Sequence, residues 1–432
     1  MRRISQVLKL IQRAFQPYYF GFIQGHTHFA LNDLQRIGQL VGLKDESIVA
    51  DFECQFAKIV GSGEAISFAA ARMGFYSLMR LMRVGKGDEV ILLGATCAVM
   101  ANAVLRTGAT PVYSDIDPDT FGSSWKSIVD CVTPHTRMIV AQHSFGIPCN
   151  IEEIVKFAKS KNIFLLEDCA LTLGSRVNGL TVGNFGDASL FSTDHSKPLN
   201  TLTGGLIYTK NAKLAERLRL LQTSCPDLSV ARQKALYRRF LLEANYCAPS
   251  RYGRLGLIDI FSLIWKRLAH NEGDFLVDDF GEAGTLPYPY PAKIPTFLAA
   301  VGLMEIKRWE MVSNERSTIL RLLLDVLGES KSGAYLPAAY RNTALNIVPL
   351  RLAWSEPGGG NIRSSIANII SISWTWFMEP VIGAKQPLRG LGYSIGECPI
   401  SERTGPNMVN LPCNFDRRDV DKLIFHLQGI FT

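Results

Sequence analysis

The sequence predicts an α/β fold in which helices cover a mostly parallel sheet. Three short apolar runs, Ile163–Leu166, Ala188–Phe191 and Gly205–Tyr208, are bounded by Gly, Asp or Asn, which is typical of strands buried on both faces. Similar runs recur upstream between segments of helical periodicity, and this alternation favours parallel strands. Polar residues gather where the runs end, so we expect a ligand site at that edge of the sheet.

The N-terminal half supplies most of the predicted sheet. A helix over Ile48–Ile59 precedes a strand at Ala65–Phe68 and a second helix near Arg72–Met82. The apolar spacing then predicts further short strands at Val90–Leu93, Pro111–Tyr113 and Met138–Ala141.

The C-terminal region is predicted to form a smaller α/β domain. Phe297 to Leu327 has the apolar spacing of one long helix. Beyond it the pattern predicts three strands and a loose turn, with the strands at Asn346–Leu352, Ser365–Ile372 and Met408–Cys413 and the turn at Gly358–Gly360. The chain is therefore divided into four segments: an N-terminal amphipathic arm (1–30), a large domain (31–213), a helical insertion that covers the site (214–290), and a long helix with the small domain (291–432).

Composition excludes several classes of protein. The 432 residues are 47% hydrophobic and 20% charged, as in ordinary globular proteins rather than disordered ones. A net charge of +7 suits small anionic ligands but not a nucleic-acid partner. The nine cysteines are scattered without a C-x-x-C pair, which favours reduced thiols and a cytoplasmic location. The seven histidines form no zinc motif, so no metal is expected, and no apolar run reaches the roughly 18 residues of a spanning helix.

Two basic amphipathic segments leave alternatives open. In the arm, Ile4, Val7, Leu8 and Ile11 fall on one helical face. The arm is predicted either to pack on its own dimer or to lie on an anionic membrane at the inner face. Residues 251–270 have a similar pattern, which predicts either a helix over the mouth of the site or a second membrane contact.

A lysine and an aspartate follow two of the apolar runs. Asp168 comes after Ile163–Leu166, and Lys197 lies past Ala188–Phe191. Buried lysine usually has a partner or a covalent role, and an amine of lowered pKa can form a Schiff base with an aldehyde. The pair is therefore predicted to serve pyridoxal 5′-phosphate (PLP), with the carboxylate facing the pyridine nitrogen. The alternative is a solvated loop lysine and a turn aspartate.

Several motifs fall in one order along the chain. E-D-C-A occupies Glu167–Ala170, and Ser192 precedes Lys197 by five residues, with Gly204-Gly205 following the lysine. The upstream motifs are G-D-E-V, S-D-I-D-P-D-T-F and G-I-P-C-N, at Gly87–Val90, Ser114–Phe121 and Gly146–Asn150. As a set, these motifs resemble the DegT/StrS-type sugar aminotransferases, a PLP-dependent family of fold type I.

The resemblance implies a large domain with a mostly parallel seven-stranded sheet and roles for individual residues. Lys197 would hold the cofactor and then shuttle a proton, while Asp168 would protonate the pyridine nitrogen. It also implies cofactor contacts at Ser192, Ala71, Arg72 and Cys97, the first three at the phosphate and the last at the ring. His195 and Lys293 are the predicted substrate-binding residues.

The implied function is transfer of an amino group to a nucleotide-linked keto-sugar, with glutamate as donor, by a homodimer in polysaccharide or glycan biosynthesis. Two departures from the family pattern favour an alternative. Leu171 stands where the family has Gln or His, and Pro291 stands for an Asn that reaches the partner's cofactor phosphate. The alternative is a catalytically degenerate or regulatory PLP-binding homologue at the membrane, and an eliminase is a third hypothesis.

Overall fold

The computed structural model describes residues 2–269, 286–328 and 335–431. Part of the predicted insertion, 270–285, lies outside the described residues. The strands are β1 (Glu64–Phe68), β2 (Glu89–Leu93), β3 (Thr110–Ser114), β4 (Thr136–Gln142), β5 (Phe164–Asp168), β6 (Arg176–Val177), β7 (Leu180–Thr181), β8 (Ala188–Ser192), β9 (Gly205–Thr209), β10 (Leu345–Asn346), β11 (Arg351–Ser355) and β12 (Met408–Pro412). The α-helices are α1 (Arg2–Ala14), α2 (Leu31–Gln39), α3 (Glu46–Val60), α4 (Ala71–Leu81), α5 (Ala98–Leu105), α6 (Trp125–Cys131), α7 (Ile151–Lys161), α8 (Ala212–Thr223), α9 (Val230–Tyr246), α10 (Tyr252–Ala269), α11 (Thr296–Lys307), α12 (Trp309–Gly328), α13 (Gly359–Ile366), α14 (Pro399–Thr404) and α15 (Arg417–Phe431).

A seven-stranded sheet forms the centre of the large domain. Its strand order is β1-β9-β8-β5-β4-β2-β3. The strands are parallel except β9, which runs antiparallel to β1 and β8. The predicted mostly parallel sheet covered by helices is confirmed, because its strands are buried on both faces as their unbroken apolar runs require.

The small domain has its own core around the antiparallel pair β11–β12. Helices α12 and α15 pack against this pair, and the chain's N-terminal arm joins them. Phe20 is fully buried there, and its backbone bonds to Ile369 O at 2.7 Å and to Ser371 N at 2.8 Å. The arm is therefore part of the small domain's structure, beyond the amphipathic helix that the sequence predicts.

Two predictions for the C-terminal region are wrong. Ser365–Ile372 is not a strand, because helix α13 runs to Ile366 and irregular chain follows. Gly358–Gly360 is not a loose turn either, since Gly358, at a φ of 76°, caps α13. The isoleucines suggested a strand, but tertiary packing buries Ile366 and Ile370 without one.

Two other predicted elements are divided. Asn346–Leu352 is split between β10 and β11, because the intervening Pro349 has no N–H to donate to a ladder. Strand β10 pairs instead with the β6–β7 hairpin, which the sequence did not predict. The predicted long helix from Phe297 to Leu327 is two helices that meet at Arg308.

The arm helix α1 packs on α10 within the same chain. A Cβ at Gly253 of α10 would lie 2.0 Å from Arg13 O, so the two backbones touch. Leu8, Ile11 and Phe15 remain exposed. In the part of the chain that the structure describes, no helix combines the length and apolarity needed to cross a membrane.

The start of α4 lies directly against the start of β9. A Cβ at Gly205 would lie 2.4 Å from the Cα of Ala71 and 2.5 Å from its amide nitrogen. Only glycine allows this approach, since the obstructing atoms belong to the backbone. The contact fixes the first turn of α4 at the edge of the sheet where β8 ends.

We expect Gly205→Ala to lower the free energy of unfolding by about 1–3 kcal/mol or to prevent folding, because a helix must shift to admit one methyl group. Gly360→Ala is the matched control. Its Cβ would lie 3.6 Å from the flexible tip of Arg363 inside α13, so stability should hold or rise slightly. Urea unfolding of both variants measures the difference. Equal effects would show that the α4–β9 contact is not tightly packed.

Candidate active site

The ends of β5 and β8 and the start of β9 meet at one edge of the sheet. Asp168 ends β5 and lies opposite Leu190 of β8. Ser192 ends β8 and lies opposite Gly205, which touches the first turn of α4 at Ala71. The register therefore brings Asp168 and Ser192 to the same edge, as the strand-end pattern predicted, and the contact of Gly205 with Ala71 places the start of α4 beside them.

Lys197 projects from the loop that joins β8 to β9. Two bonds close the base of this loop, from Thr193 N to Gly204 O at 3.1 Å and from Thr201 N to Thr193 O at 2.8 Å. The Thr193 and Thr201 hydroxyls also bond to each other at 2.6 Å. Lys197 is half-buried, and its Nζ lies 5.8 Å from the centroid of the Trp376 ring.

The surroundings of Lys197 favour its neutral amine. Burial lowers the pKa of Lys197, and the positive charge of Arg351 lowers it further. The carboxylates of Asp194 and Asp168 act in the opposite direction without cancelling the effect. A lowered pKa is what a nucleophilic lysine requires.

Asp168 is buried at 3% exposure. Burial raises the pKa of Asp168, while a bond from Ala170 N at 2.9 Å and the charges of Lys197 and His143 oppose the rise. A desolvated carboxylate at this position is stabilised by a cationic hydrogen-bond donor. The side chain thus has the character expected of a partner for a protonated ring nitrogen.

The residue before Asp168 has a structural role that the sequence did not reveal. The buried Glu167 carboxylate accepts bonds from the backbone N–H groups of Gly183, Phe185 and Gly186, at 2.6 to 2.8 Å. His143 is on the loop after β4, and its ring Nε2 lies 3.2 Å from the same carboxylate. The backbone N–H of His143 donates to the backbone carbonyl of Asp168 at 3.0 Å. These contacts hold the end of β5 in place.

At the phosphate end of the predicted site, the first turn of α4 has no side-chain cap, because Ala70 is its N-cap. Its first N–H groups and the helix dipole therefore suit an anion. Arg72 is half-buried in this turn, and its carbonyl accepts a bond from the Tyr290 hydroxyl at 3.3 Å. Ala69 N donates to Ala292 O at 2.9 Å, so the Tyr288–Pro295 strip contacts α4 of its own chain.

The other three predicted site residues make contacts of different kinds. Cys97 is the half-buried N-cap of α5, and its electrostatic effect on Lys197 shows that the two are near each other. His195 is buried, with Nδ1 3.2 Å from the Glu243 carboxylate of α9. Lys293 lies 3.9 Å from Glu46, in an ion pair with that exposed carboxylate. The roles assigned to these residues stay predictions.

Comparison with known proteins identifies the large domain. Residues 31–239 match the model of the DegT/DnrJ/EryC1/StrS aminotransferase family. The chain is 33% identical over 212 residues to GDP-perosamine synthase of Escherichia coli O157:H7, covering 49% of this chain and 57% of that protein. It is 34% identical over 205 residues to a UDP-N-acetyl-3-dehydro-alpha-D-glucosamine 3-aminotransferase of Acidithiobacillus ferrooxidans, covering 45% and 55%. The chain thus spans about half the length of these curated relatives.

Solved structures extend the fold likeness to nearly the whole chain. DesV of S. venezuelae superposes with a TM-score of 0.71 at 20% identity, covering 96% of this chain and 99% of DesV. PseC of Helicobacter pylori superposes with a TM-score of 0.70 at 16% identity, with coverage of 96% and 99%. At such identities the likeness shows the fold, and the fold is that of the sugar aminotransferases.

Aminotransferases of the DegT/DnrJ/EryC1/StrS family generally depend on PLP. The side chains at this site fit that cofactor. Lys197 offers an amine of lowered pKa, and Asp168 offers a buried carboxylate. The uncapped first turn of α4 lies across the edge from them, beside Ser192. An aldehyde, a ring nitrogen and a phosphate each have a chemically matched group here.

Three residues of the small domain near Lys197 were missed by sequence reasoning. They are Arg351 at the start of β11, Trp376 in the irregular chain after α13, and Asn410 in β12. The one signal that could have found them is an arginine that opens the otherwise apolar run Arg351–Trp354. Their distance along the chain from Lys197 hid the connection.

We expect Lys197→Met to stabilise the protein at neutral pH, because it removes a buried cation. The pKa of Lys197 is lower in the folded than in the unfolded protein. The charged lysine therefore lowers the free energy of unfolding most at pH values below the folded pKa. This loss of stability vanishes as the pH approaches the unfolded pKa. The difference in free energy of unfolding between the variant and wild type should therefore decrease as the pH rises from the folded to the unfolded pKa of Lys197. Urea unfolding at neutral and alkaline pH, with the exposed Lys385→Met as control, measures it. A constant gap would show that Lys197 is not desolvated.

Proposed function

We propose that this chain is a PLP-dependent aminotransferase that converts a nucleotide-linked keto-sugar to an amino-sugar, with glutamate as donor, in polysaccharide or glycan biosynthesis. The observation that carries this proposal is the pairing of a lysine of lowered pKa with a buried aspartate at adjacent strand ends. Relatives named as GDP-perosamine synthase and dTDP-4-dehydro-2,3,6-trideoxy-D-glucose 4-aminotransferase support the substrate class.

When bound, PLP supplies an aldehyde that condenses with amines and a ring that withdraws electrons. The chain's own residues hold and orient it. Ser192 and the first turn of α4, with Ala71 and Arg72, would hold the phosphate, and Asp168 would keep a proton at the ring nitrogen. Lys197, whose pKa is lowered by burial, would accept and return a proton at Nζ. Leu171, buried at 4% exposure, would leave the phenolic side of the ring without a polar neighbour.

The cofactor assignment can be tested by borohydride reduction, which makes a lysine–PLP link permanent. After incubation with PLP, the peptide that contains Lys197 should gain the mass of reduced PLP, and Lys197→Ala should gain none. Lys293→Ala is the control and should be labelled like wild type. An unlabelled wild-type protein, or equal labelling of Lys197→Ala, would exclude the assignment. Labelling should fall after glutamate is added, because the cofactor is then converted to its amine form.

A degenerate homologue is the second candidate, and the buried Leu171 favours it. This protein would bind PLP through Lys197 but would not convert it with an amino donor. The same labelling experiment separates the two, since a degenerate protein would stay fully labelled in the presence of glutamate.

We also propose that the protein is a homodimer in which binding of the PLP phosphate depends on Arg72. The Tyr288–Pro295 strip contacts α4 of its own chain, and Pro291 has no side-chain donor to offer a partner. We expect Arg72→Ala to weaken PLP binding about tenfold or more, as loss of a charge-assisted contact would. Lys293→Ala should change it less than threefold. Fluorescence titration with PLP gives both constants, and equal constants for Arg72→Ala and wild type would overturn this prediction.

The arm belongs to the same proposal of a cytoplasmic protein. The exposed Leu8, Ile11 and Phe15, beside Lys9, form an apolar edge on α1 that a dimer partner or an anionic membrane would cover. Light scattering with and without phosphatidylserine vesicles distinguishes these occupants. A dimer that does not bind the vesicles excludes the membrane as the occupant of this edge, whereas vesicle binding supports the membrane.

A further inference from the structure

Glu243 is a buried carboxylate outside the predicted active-site residues. It lies on α9, just past the residues that match the family model, and its side chain is fully buried. A carboxylate buried in this way is costly unless charged or hydrogen-bonding partners surround it. Its partners therefore indicate its role.

Both oxygens of this carboxylate face hydrogen-bond donors. Oε1 lies 3.0 Å from Arg239 Nε and 3.2 Å from His195 Nδ1. Oε2 accepts a bond from Asn200 Nδ2 at 3.2 Å. The Asn200 amide cannot turn round to offer its oxygen, because Oδ1 already accepts from Leu202 N at 2.6 Å and Nδ2 also donates to the Gln24 carbonyl. Only a group that accepts at both ends fits this position, and a carboxylate is such a group.

The two contacts with the lysine loop lie on either side of Lys197. His195 is two residues before the lysine, and Asn200 is three residues after it. The loop is also tied across itself, since His195 N donates to Leu202 O at 3.1 Å. One carboxylate from α9 thus bridges both halves of the loop that carries the amine.

Glu243 is braced by neighbouring elements. Arg239, one helical turn earlier on α9, also pairs with Asp259 of α10. His26 of the arm is fully buried, with Nε2 2.9 Å from the Asn200 carbonyl and Nδ1 3.9 Å from Glu243 Oε2. A carboxylate held in this way gives the loop a fixed point of attachment.

The character of Lys197 depends on where this loop lies. Burial is the largest cause of the lowered pKa of Lys197. A loop released from α9 would let water reach the amine, and the pKa would then return towards its ordinary value. Release would also take the amine away from Asp168 and the strand ends.

We propose that Glu243 is a positioning residue for Lys197. Through His195 and Asn200 it holds the lysine loop against α9 and keeps the amine at the strand ends, out of water. The importance of this position for catalysis rests on the proposed aminotransferase function, whereas the position itself does not.

Trace acetylation with acetic anhydride tests this role on the full chain freed of PLP. Only a neutral amine reacts, so the pH midpoint for the Lys197 peptide reports the pKa of that lysine. We expect Glu243→Gln to raise the midpoint by about one pH unit, because an amide places a donor against a donor and releases the loop. Capture of PLP by Lys197, trapped with borohydride, should weaken about tenfold. The exposed Lys385 is the internal reference and should not change.

Glu53→Gln is the matched control. Glu53 of α3 is 2% exposed and accepts bonds from Ser67 N and Oγ, both at 2.7 Å, and from Arg219, which are outside the lysine loop. This variant should also lower the free energy of unfolding, but it should leave the Lys197 midpoint unchanged. Asn200→Ala cuts the same contact from the loop side and should raise the midpoint, so it decides the question if Glu243→Gln does not fold.

The outcomes separate this role from the broader function. An unchanged midpoint in folded Glu243→Gln or Asn200→Ala, or an equal shift in Glu53→Gln, would overturn the positioning role and leave the PLP assignment intact. A raised midpoint in Glu243→Gln, with no capture of PLP by wild type, would support the positioning role and exclude the aminotransferase.

Discussion

The contact between β9 and the first turn of α4 constrains the whole site. Because β9 runs antiparallel to β8, the chain must return within one loop to the edge where β5 and β8 end. Gly205 lets this return pass against the backbone of Ala71. Lys197 is on that loop, so the packing distance between a strand and a helix start sets where the amine can lie.

Electrostatics then give the two central groups their character. Burial moves the pKa of Lys197 down and the pKa of Asp168 up, so each is shifted towards its neutral form. A site with this property is prepared for a ligand that is itself charged, and both the cofactor ring and the donor carboxylate have that chemistry.

Helix α9 is connected to the lysine loop through a buried ionic network. Although burial raises the pKa of Glu243 on α9, His195, Arg239 and His26 lower it to about 2. Glu243 also accepts a bond from Asn200 Nδ2 of the lysine loop at 3.2 Å. Glu243 thus contacts the loop on both sides of Lys197, at His195 and at Asn200.

The sequence by itself predicted the strands of the seven-stranded sheet, the resemblance of residues 31–239 to a family, and the positions of Asp168 and Lys197 past neighbouring strand ends, since unbroken apolar runs and local motifs encode these directly. For the isoleucine-rich run after Gly358 the sequence predicted a strand that the structure does not contain. Buried isoleucines occur in strands and in other structures alike, so composition could not distinguish the two. The grouping of Arg351, Trp376 and Asn410 near the lysine was decided only by tertiary structure. No local pattern joins these residues to Lys197, because their proximity arises from the packing of the small domain against the edge of the sheet.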